Sequence, residues 1–378
     1  MLNIVFLGGE DVSARIDISK ILINLGCSIN IIGSESKEVF DNNNISYTKF
    51  NLNREFSIID DVKSIIAIRK ILKKYSKEII VHAFDTKLTV FLPIAAYGLK
   101  NVKVVRTING MGRLFSEKSF KYKVMIFIYR FIQRLVKINV DFTIFQNTDN
   151  YNYFVNSQLT TKTKSIVIKS SGINLKEYFT KVDDSTKSNL LNNHLDYENS
   201  TTFILVSRLI KQKGILNYLE AAKLCHLSGL RYNFLLIGQI DSNKDGVSIE
   251  EINKYKKYVN YLGRKNNIKE FLSIADVFVL PSYYSEGVPR VLLEASAMSL
   301  AILTTQMPGC NDVLVNGVNG LMININDSVD LFEKMKVIAD NQEILKKMKI
   351  NSKKHVENFG LEKVTTECFE IYKQISKL

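Results

Sequence analysis

Short runs of consecutive apolar residues alternate along this chain with longer stretches in which apolar residues recur every three or four positions. The first pattern reads as buried strands of a parallel sheet, the second as amphipathic helices. Residues 3–7 are strand-like and lead into Gly8-Gly9. A helical pattern then carries Ile16, Ile18, Ile21, Leu22 and Leu25 and stops at Gly26; residues 28–32 are a second strand. This strand–loop–helix–strand rhythm opens a doubly wound α/β domain. It continues through a helix at 58–75, a strand at 78–81, a helix at 88–98, and strands at 103–107, 142–146 and 165–169. The loops after these strands hold His82, Asp85, Lys87, Asn109, Gly110 and Arg113, where ligands of open α/β sheets sit.

Residues 170–199 are polar and rich in Lys and Asn, and are read as an interdomain stretch. A second series follows. Strands are expected at 202–206, 233–238, 259–262, 277–280, 301–305 and 320–325, with helices at 215–227, 266–274, 328–339 and from about 341 onward. The division expected is residues 1–170, a first domain; 171–355, a second domain; and 356–378, a final helix.

The segment around Asp276–Met298 concentrates the chemistry. The apolar run Val277-Phe278-Val279-Leu280 delivers the loop from Ser282 to Glu286, then Gly287-Val288-Pro289 and a helix. Pro289 is placed where a first helical turn accepts it. A helix N-terminus carries free N–H groups and roughly +0.5 of an elementary charge, which suits a phosphate. Glu286 and Glu294 bracket it and can grip hydroxyls. In the loop after another strand, Arg208 and Lys213 can converge on a diphosphate, one as a planar fork and one as a point charge. Gly8-Gly9 reads equally as a phosphate loop or a tight turn. A nicotinamide-cofactor reading is poorer, because no GxGxxG is present.

Residues 118–138, from Lys118 to Ile138, break the rhythm with dense aromatics and aliphatics. Lys123, Arg130, Arg134 and Lys137 fall on one helical stripe. That reads as a helix lying in an anionic membrane interface, against the alternative of a buried helix with a snorkelling basic edge.

Composition narrows the picture. At 378 residues, two domains are the prior, and 46% apolar content suits a globular protein. The 51 Lys and Arg exceed the 38 Asp and Glu, for a formal charge of +13, so an anionic partner is expected. The cysteines (Cys27, Cys225, Cys310, Cys368) are scattered without metal-ligand spacing, which argues for free thiols in a reducing compartment. The first residues read as a strand and not a signal peptide, and no apolar run is long enough to span a bilayer.

Several blocks, in order and spacing, resemble glycosyltransferase family 4: Ser207-Arg208-Leu209 through Lys213-Gly214, Tyr261-Leu262-Gly263, residues 275–282, Glu286-Gly287-Val288-Pro289 with Glu294-Ala295, Pro308-Gly309-Cys310, and residues 316–321. Residues 106–115 and 168–174 resemble the branch that builds lipid-linked bacterial surface glycans. The resemblance implies a GT-B fold, with two Rossmann-like domains facing across a cleft, residues 1–170 on the acceptor side, residues 171–355 on the donor side, and the final helix, 356–378, crossing back to the first domain. It implies retaining transfer from a nucleotide sugar, UDP-linked by family tendency, without metal or cofactor. Arg208 and Lys213 would then neutralise the diphosphate, Glu294 would accept from the ribose, and Glu286 would contact the transferred sugar. Gly287, Val288, Pro289, Arg290 and Gly238 would complete the donor side. On the acceptor side, Gly8, Gly9, Arg15, His82, Lys87, Asn109 and Arg113 would meet a polyprenyl-diphosphate-linked acceptor. Many family members carry a histidine where this chain has Asn109. The expected location is cytoplasmic, peripheral on the inner face of a bacterial plasma membrane. The competing readings are a nucleotide-sugar 2-epimerase on the same fold, a glycosidase built on the two glutamates, a lectin-like descendant and a nucleic-acid-binding protein. The last is disfavoured because the basic residues split between a diphosphate-type loop and one helix instead of forming a track.

Overall fold

A computed structural model of the chain describes residues 1–53, 57–110, 120–241, 245–284 and 287–376. The chain divides into two compact units, Met1–Gly172 with Leu361–Leu378, and Ile173–Gly360.

The first unit holds seven parallel strands: β1 (Asn3–Leu7), β2 (Ser28–Gly33), β3 (Ser46–Lys49), β4 (Ile79–Ala83), β5 (Val102–Ile108), β6 (Phe142–Phe145) and β7 (Ser165–Val167), in the order β3-β2-β1-β4-β5-β6-β7. Strands β1, β2, β4, β5 and β6 are largely buried runs rich in Ile, Val and Phe, as a sheet covered on both faces requires, whereas the edge strands β3 and β7 are shorter and more exposed. One face packs against Ile16–Asn24 and the last helix, Leu361–Ser376. The other packs against Ile58–Leu72 and Leu88–Ala95, and Leu88–Ala95 in turn packs against Phe120–Val136.

The second unit holds six parallel strands: β8 (Thr202–Val206), β9 (Asn233–Ile237), β10 (Asn260–Tyr261), β11 (Val277–Leu280), β12 (Ala301–Thr305) and β13 (Gly320–Ile323), in the order β10-β9-β8-β11-β12-β13. Helices Ile215–Leu227 and Ser328–Ala339 cover one face, and Arg290–Ala297 lies on the other. Both sheets reverse direction next to their first strand, at β1/β4 and at β8/β11. Such reversals leave a crevice beyond the strand ends, where ligands of doubly wound sheets bind.

The structure corrects the sequence reading in three places. The stretch read as an interdomain linker carries two helices, Leu175–Phe179 and Asp184–His194, capped by Asn174 and Asp183. Asp184–His194 buries no residue, so no apolar periodicity marks it. Strand β3 and the short helix Glu38–Asp41 were passed over because both are short and largely polar. Pro289 occupies the N-cap, one position before the helix proper.

Candidate active site

In the second unit, the β8 and β11 loops lock together. Gly214 sits at φ +72°, and a Cβ there would lie 2.1 Å from the Pro281 carbonyl oxygen. Tyr283 N donates to Gln212 O at 2.9 Å, and Ser282 Oγ donates to the same oxygen at 3.2 Å. Thr305 Oγ1 donates to Ser282 O at 2.5 Å, tying in the end of β12. Only glycine can hold this left-handed turn so close to a neighbouring backbone. At the end of β9 the reason is close approach alone: a Cβ on Gly238 would meet Ser207 O at 1.9 Å.

This frame positions Arg208 and Lys213 on the β8 loop. Lys213 is buried, with Nζ 5.9 Å from the Tyr284 ring centre. Arg208 is exposed, its guanidinium 3.8 Å from Asp241. A largely exposed arginine at that distance gains little from its partner, so it is free to turn toward an anion. From β11, the loop reaches Gly287, the buried Val288 and Pro289, then the helix Arg290–Ala297, whose N-cap makes no side-chain hydrogen bond. Glu286 lies outside the described residues.

Glu294 sits one turn into that helix, with its side chain 12% exposed. Arg290 Nε donates to Glu294 Oε1 at 3.0 Å, and the Tyr178 hydroxyl shares a hydrogen bond with the same carboxylate. Burial raises the Glu294 carboxyl above its ordinary 4.5, while Arg290 and Tyr178 act the other way. Burial, followed by the Glu294 charge, raises the Tyr178 hydroxyl. Tyr178 comes from the stretch read as a linker, and the Asn174 cap was the one sequence signal that could have found it. The hollow around Asp276 and Lys349 lies at the opposite end of the strands, at the start of β11, away from these groups.

In the first unit, Gly8 and Gly9 follow β1, and Gly9 N donates to the Asp85 carboxylate in the β4 loop. A Cβ on Gly8 would lie 2.6 Å from the Val12 side chain. Arg15 stacks over the Phe84 ring at 4.2 Å. Lys87 Nζ donates to Asp61 Oδ1 at 2.6 Å and to Asn53 O at 3.0 Å, joining the β4 loop to helix Ile58–Leu72. His82 is buried, with Nδ1 2.6 Å from Tyr372 OH and Nε2 2.7 Å from Thr107 Oγ1. Burial, then the Arg15 charge, holds it well below 6.5. Asn109 Nδ2 donates to Phe84 O at 3.2 Å, while its Oδ1 is buried without a partner among the described residues. Thus Gly9, Arg15 and Asn109 each contact the β4 loop, whereas His82 points into the core. Arg113 lies outside the described residues.

Sequence reasoning missed a buried cation beneath helix Phe120–Val136. Arg106 is fully buried in β5. Its Nε donates to Thr143 Oγ1 at 3.2 Å and its Nη1 to Gln133 Oε1 at 2.6 Å. Burial lowers it to about 10, and burial raises the neighbouring Tyr129 hydroxyl to about 12. The helix turns Gln133 and Val136 inward and leaves Phe120, Phe127, Phe131 and Leu135 exposed. Lys118 lies outside the described residues. No described helix is long and apolar enough to cross a membrane, and no group of three or more His, Cys, Asp or Glu among the described residues could hold a metal ion.

Comparison with known proteins agrees with this architecture. Residues 187–355 match the model of the family described as Glycosyl transferases group 1. The chain is 28% identical to the N,N'-diacetylbacillosaminyl-diphospho-undecaprenol alpha-1,3-N-acetylgalactosaminyltransferase of Campylobacter jejuni, over 84% of this chain and 82% of that one. It is 29% identical to the UDP-Gal:alpha-D-GlcNAc-diphosphoundecaprenol alpha-1,3-galactosyltransferase of Escherichia coli, over 93% and 90%. Among solved structures, Anabaena Alr3699/HepE in complex with UDP and glucose superposes with a TM-score of 0.78, at 17% identity and over all of both chains. The fold is GT-B, and the chain is a glycosyltransferase.

Proposed function

We propose that the chain is a retaining, family 4 glycosyltransferase that moves a sugar from a UDP-linked donor to a polyprenyl-diphosphate-linked acceptor in bacterial surface-polysaccharide synthesis. The observation that carries the donor half is the convergence of Arg208, Lys213 and an N-terminal helix end at the β8/β11 reversal. Those groups offer two cations and free N–H donors to a diphosphate. The deeper carboxylate, Glu294, accepts from the ribose, and Glu286 contacts the sugar. As the bond from the sugar's anomeric carbon to the β-phosphate oxygen breaks, negative charge grows on the phosphate, and Arg208 and Lys213 stabilise it. The acceptor hydroxyl attacks from the same face and passes its proton to the departing phosphate. None of these steps calls for a metal.

The acceptor half is supported by the names of the relatives above, whose acceptors are undecaprenyl-diphosphate sugars. The cations Arg15, Lys87 and Arg113 serve it, with Gly8, Gly9 and Asn109 shaping the loops. Residues 118–138 rest on the cytoplasmic membrane face. Their support is an inverted burial pattern, with a polar glutamine inside and phenylalanines outside.

The test is to incubate protein and bacterial membranes with a panel of radiolabelled nucleotide sugars and follow label into the lipid fraction. Label from one UDP-sugar, with the product keeping the donor's anomeric configuration, is the expected result. A product formed from UDP-sugar alone, without acceptor, would instead support the epimerase reading.

A further inference from the structure

Helix Ile58–Leu72 carries a second exposed apolar stripe that nothing in the site uses. Ile58 and Ile59 are 68% and 69% exposed, and Val62 and Ile66 about half exposed. They fall at successive turns on one side of the helix. The polar residues are sorted in a particular way. Both acids of the helix are engaged at its N-terminal end: Asp61 with Lys87, and Asp60 with Asn53 and Lys63. The C-terminal end and the loop beyond it present Lys70, Lys73, Lys74 and Lys77 to solvent, and none of the four pairs with an acid among the described residues.

This helix belongs to the same layer as Phe120–Val136. Arg69 Nη1 donates to Ala95 O and Tyr97 O at 2.7 Å each, fastening Ile58–Leu72 to the end of Leu88–Ala95. Leu88–Ala95 packs on its other side against Phe120–Val136. That second helix has no acidic residue and exposes Phe120, Val124, Phe127, Ile128, Phe131 and Leu135. Two helices flanking a third, on one face of one sheet, therefore both expose aliphatic or aromatic stripes edged with lysine and arginine.

We propose that the exposed face of helix Ile58–Leu72 is a second membrane-contact element, so that the first unit rests on an anionic lipid surface by two helices. The basic edges decide the occupant. A second copy of this chain placed face to face would set lysines against lysines, whereas anionic headgroups complement them and acyl chains receive the isoleucines. Two separated contacts also fix orientation, which one helix free to roll cannot do. The inference rests on the reading of the acceptor as lipid-linked and extends it to how the enzyme is seated.

The experiment is flotation of the full-length protein with vesicles of phosphatidylglycerol and phosphatidylethanolamine, beside phosphatidylcholine alone. The variant is Ile58→Ser, Ile59→Ser, Val62→Ser and Ile66→Ser together. These side chains are exposed, so the melting temperature should stay within a few degrees of wild type. Expected is at least a tenfold weaker partition onto anionic vesicles, with UDP binding unchanged. Lys70→Gln, Lys73→Gln and Lys74→Gln together should flatten the salt dependence of binding. The proposal is overturned if the isoleucine variant floats as strongly as wild type, if wild type ignores anionic vesicles, or if wild type is a dimer that the variant dissociates. Transfer to a water-soluble short-chain acceptor reads the enzymatic proposal separately. It should survive the isoleucine changes, and its absence in wild type would sink that reading and leave the vesicle result standing.

Discussion

Glu294→Ala is the substitution whose consequences the structure defines most fully. The carboxylate has two protein partners of unequal weight. Tyr178 is buried, so its hydroxyl would be left unsatisfied at a cost of about 1–3 kcal/mol. Arg290 is more than half exposed, and water replaces the lost pair at little cost. Stability should therefore fall by about 1–3 kcal/mol, nearly all of it through Tyr178. The ligand term is separate. A ribose hydroxyl donating to a carboxylate contributes about 1.5–3 kcal/mol, or roughly 10- to 150-fold in Kd for UDP. Titration calorimetry with UDP and with 2',3'-dideoxy-UDP separates the two terms. Wild type should lose affinity when the ribose hydroxyls are removed, and Glu294→Ala should be indifferent to them. Tyr178→Phe removes the same hydroxyl but keeps the carboxylate, so its UDP affinity should stay within about threefold of wild type. If Glu294→Ala remains folded and discriminates the two nucleotides as wild type does, the ribose assignment is wrong.

Three further outcomes follow from the geometry. Gly214→Ala forces a side chain into left-handed backbone against the Pro281 carbonyl, so the loop must shift. UDP binding should fall at least about tenfold, with a lower melting temperature, because left-handed backbone alone costs roughly 1–2 kcal/mol; unchanged calorimetry would contradict the locked-loop description. Glu294 holds its proton more tightly folded than unfolded, so stability should decline as pH rises from 4.5 through the raised folded value. Chemical denaturation across that window should show the slope, and Glu294→Gln should remove it. His82 behaves oppositely. It stays neutral when folded, so the unfolded chain takes up a proton first, and stability should fall as pH drops below 6.5. In His82→Gln, that acid-side slope should be missing from melting curves.

Much of this was legible in the sequence because buried parallel strands are written as unbroken apolar runs. Val277–Leu280 and Thr202–Val206 stand where the pattern puts them. The same alternation revealed both doubly wound units, whereas the left-handed turn at Gly214 emerged only from the structure. Elements that stabilise themselves by caps instead of burial were lost. Asp184–His194 is a helix without a fully buried residue, touching the core only through Leu190 and Leu191, and Tyr178 was hidden beside it. The environment of a charge was also invisible. Arg106 and Arg208 look alike in sequence, yet one is sealed beneath Phe120–Val136 and the other is mostly in solvent. His82 followed a strand, as a ligand residue would, but alternation along β4 turns its ring into the core.

Steady-state transfer by Lys213→Ala and Arg208→Ala, beside wild type and with the sugar nucleotide found in the radiolabel panel, tests the donor site most directly. Both cations are assigned to the charge that grows on the departing diphosphate, so kcat should fall about 100-fold or more for Lys213→Ala. The exposed Arg208 should show a smaller loss, and both variants should bind UDP more weakly while melting near wild type. Transfer at the wild-type rate with undiminished UDP affinity in both variants would contradict a diphosphate site at the β8/β11 reversal.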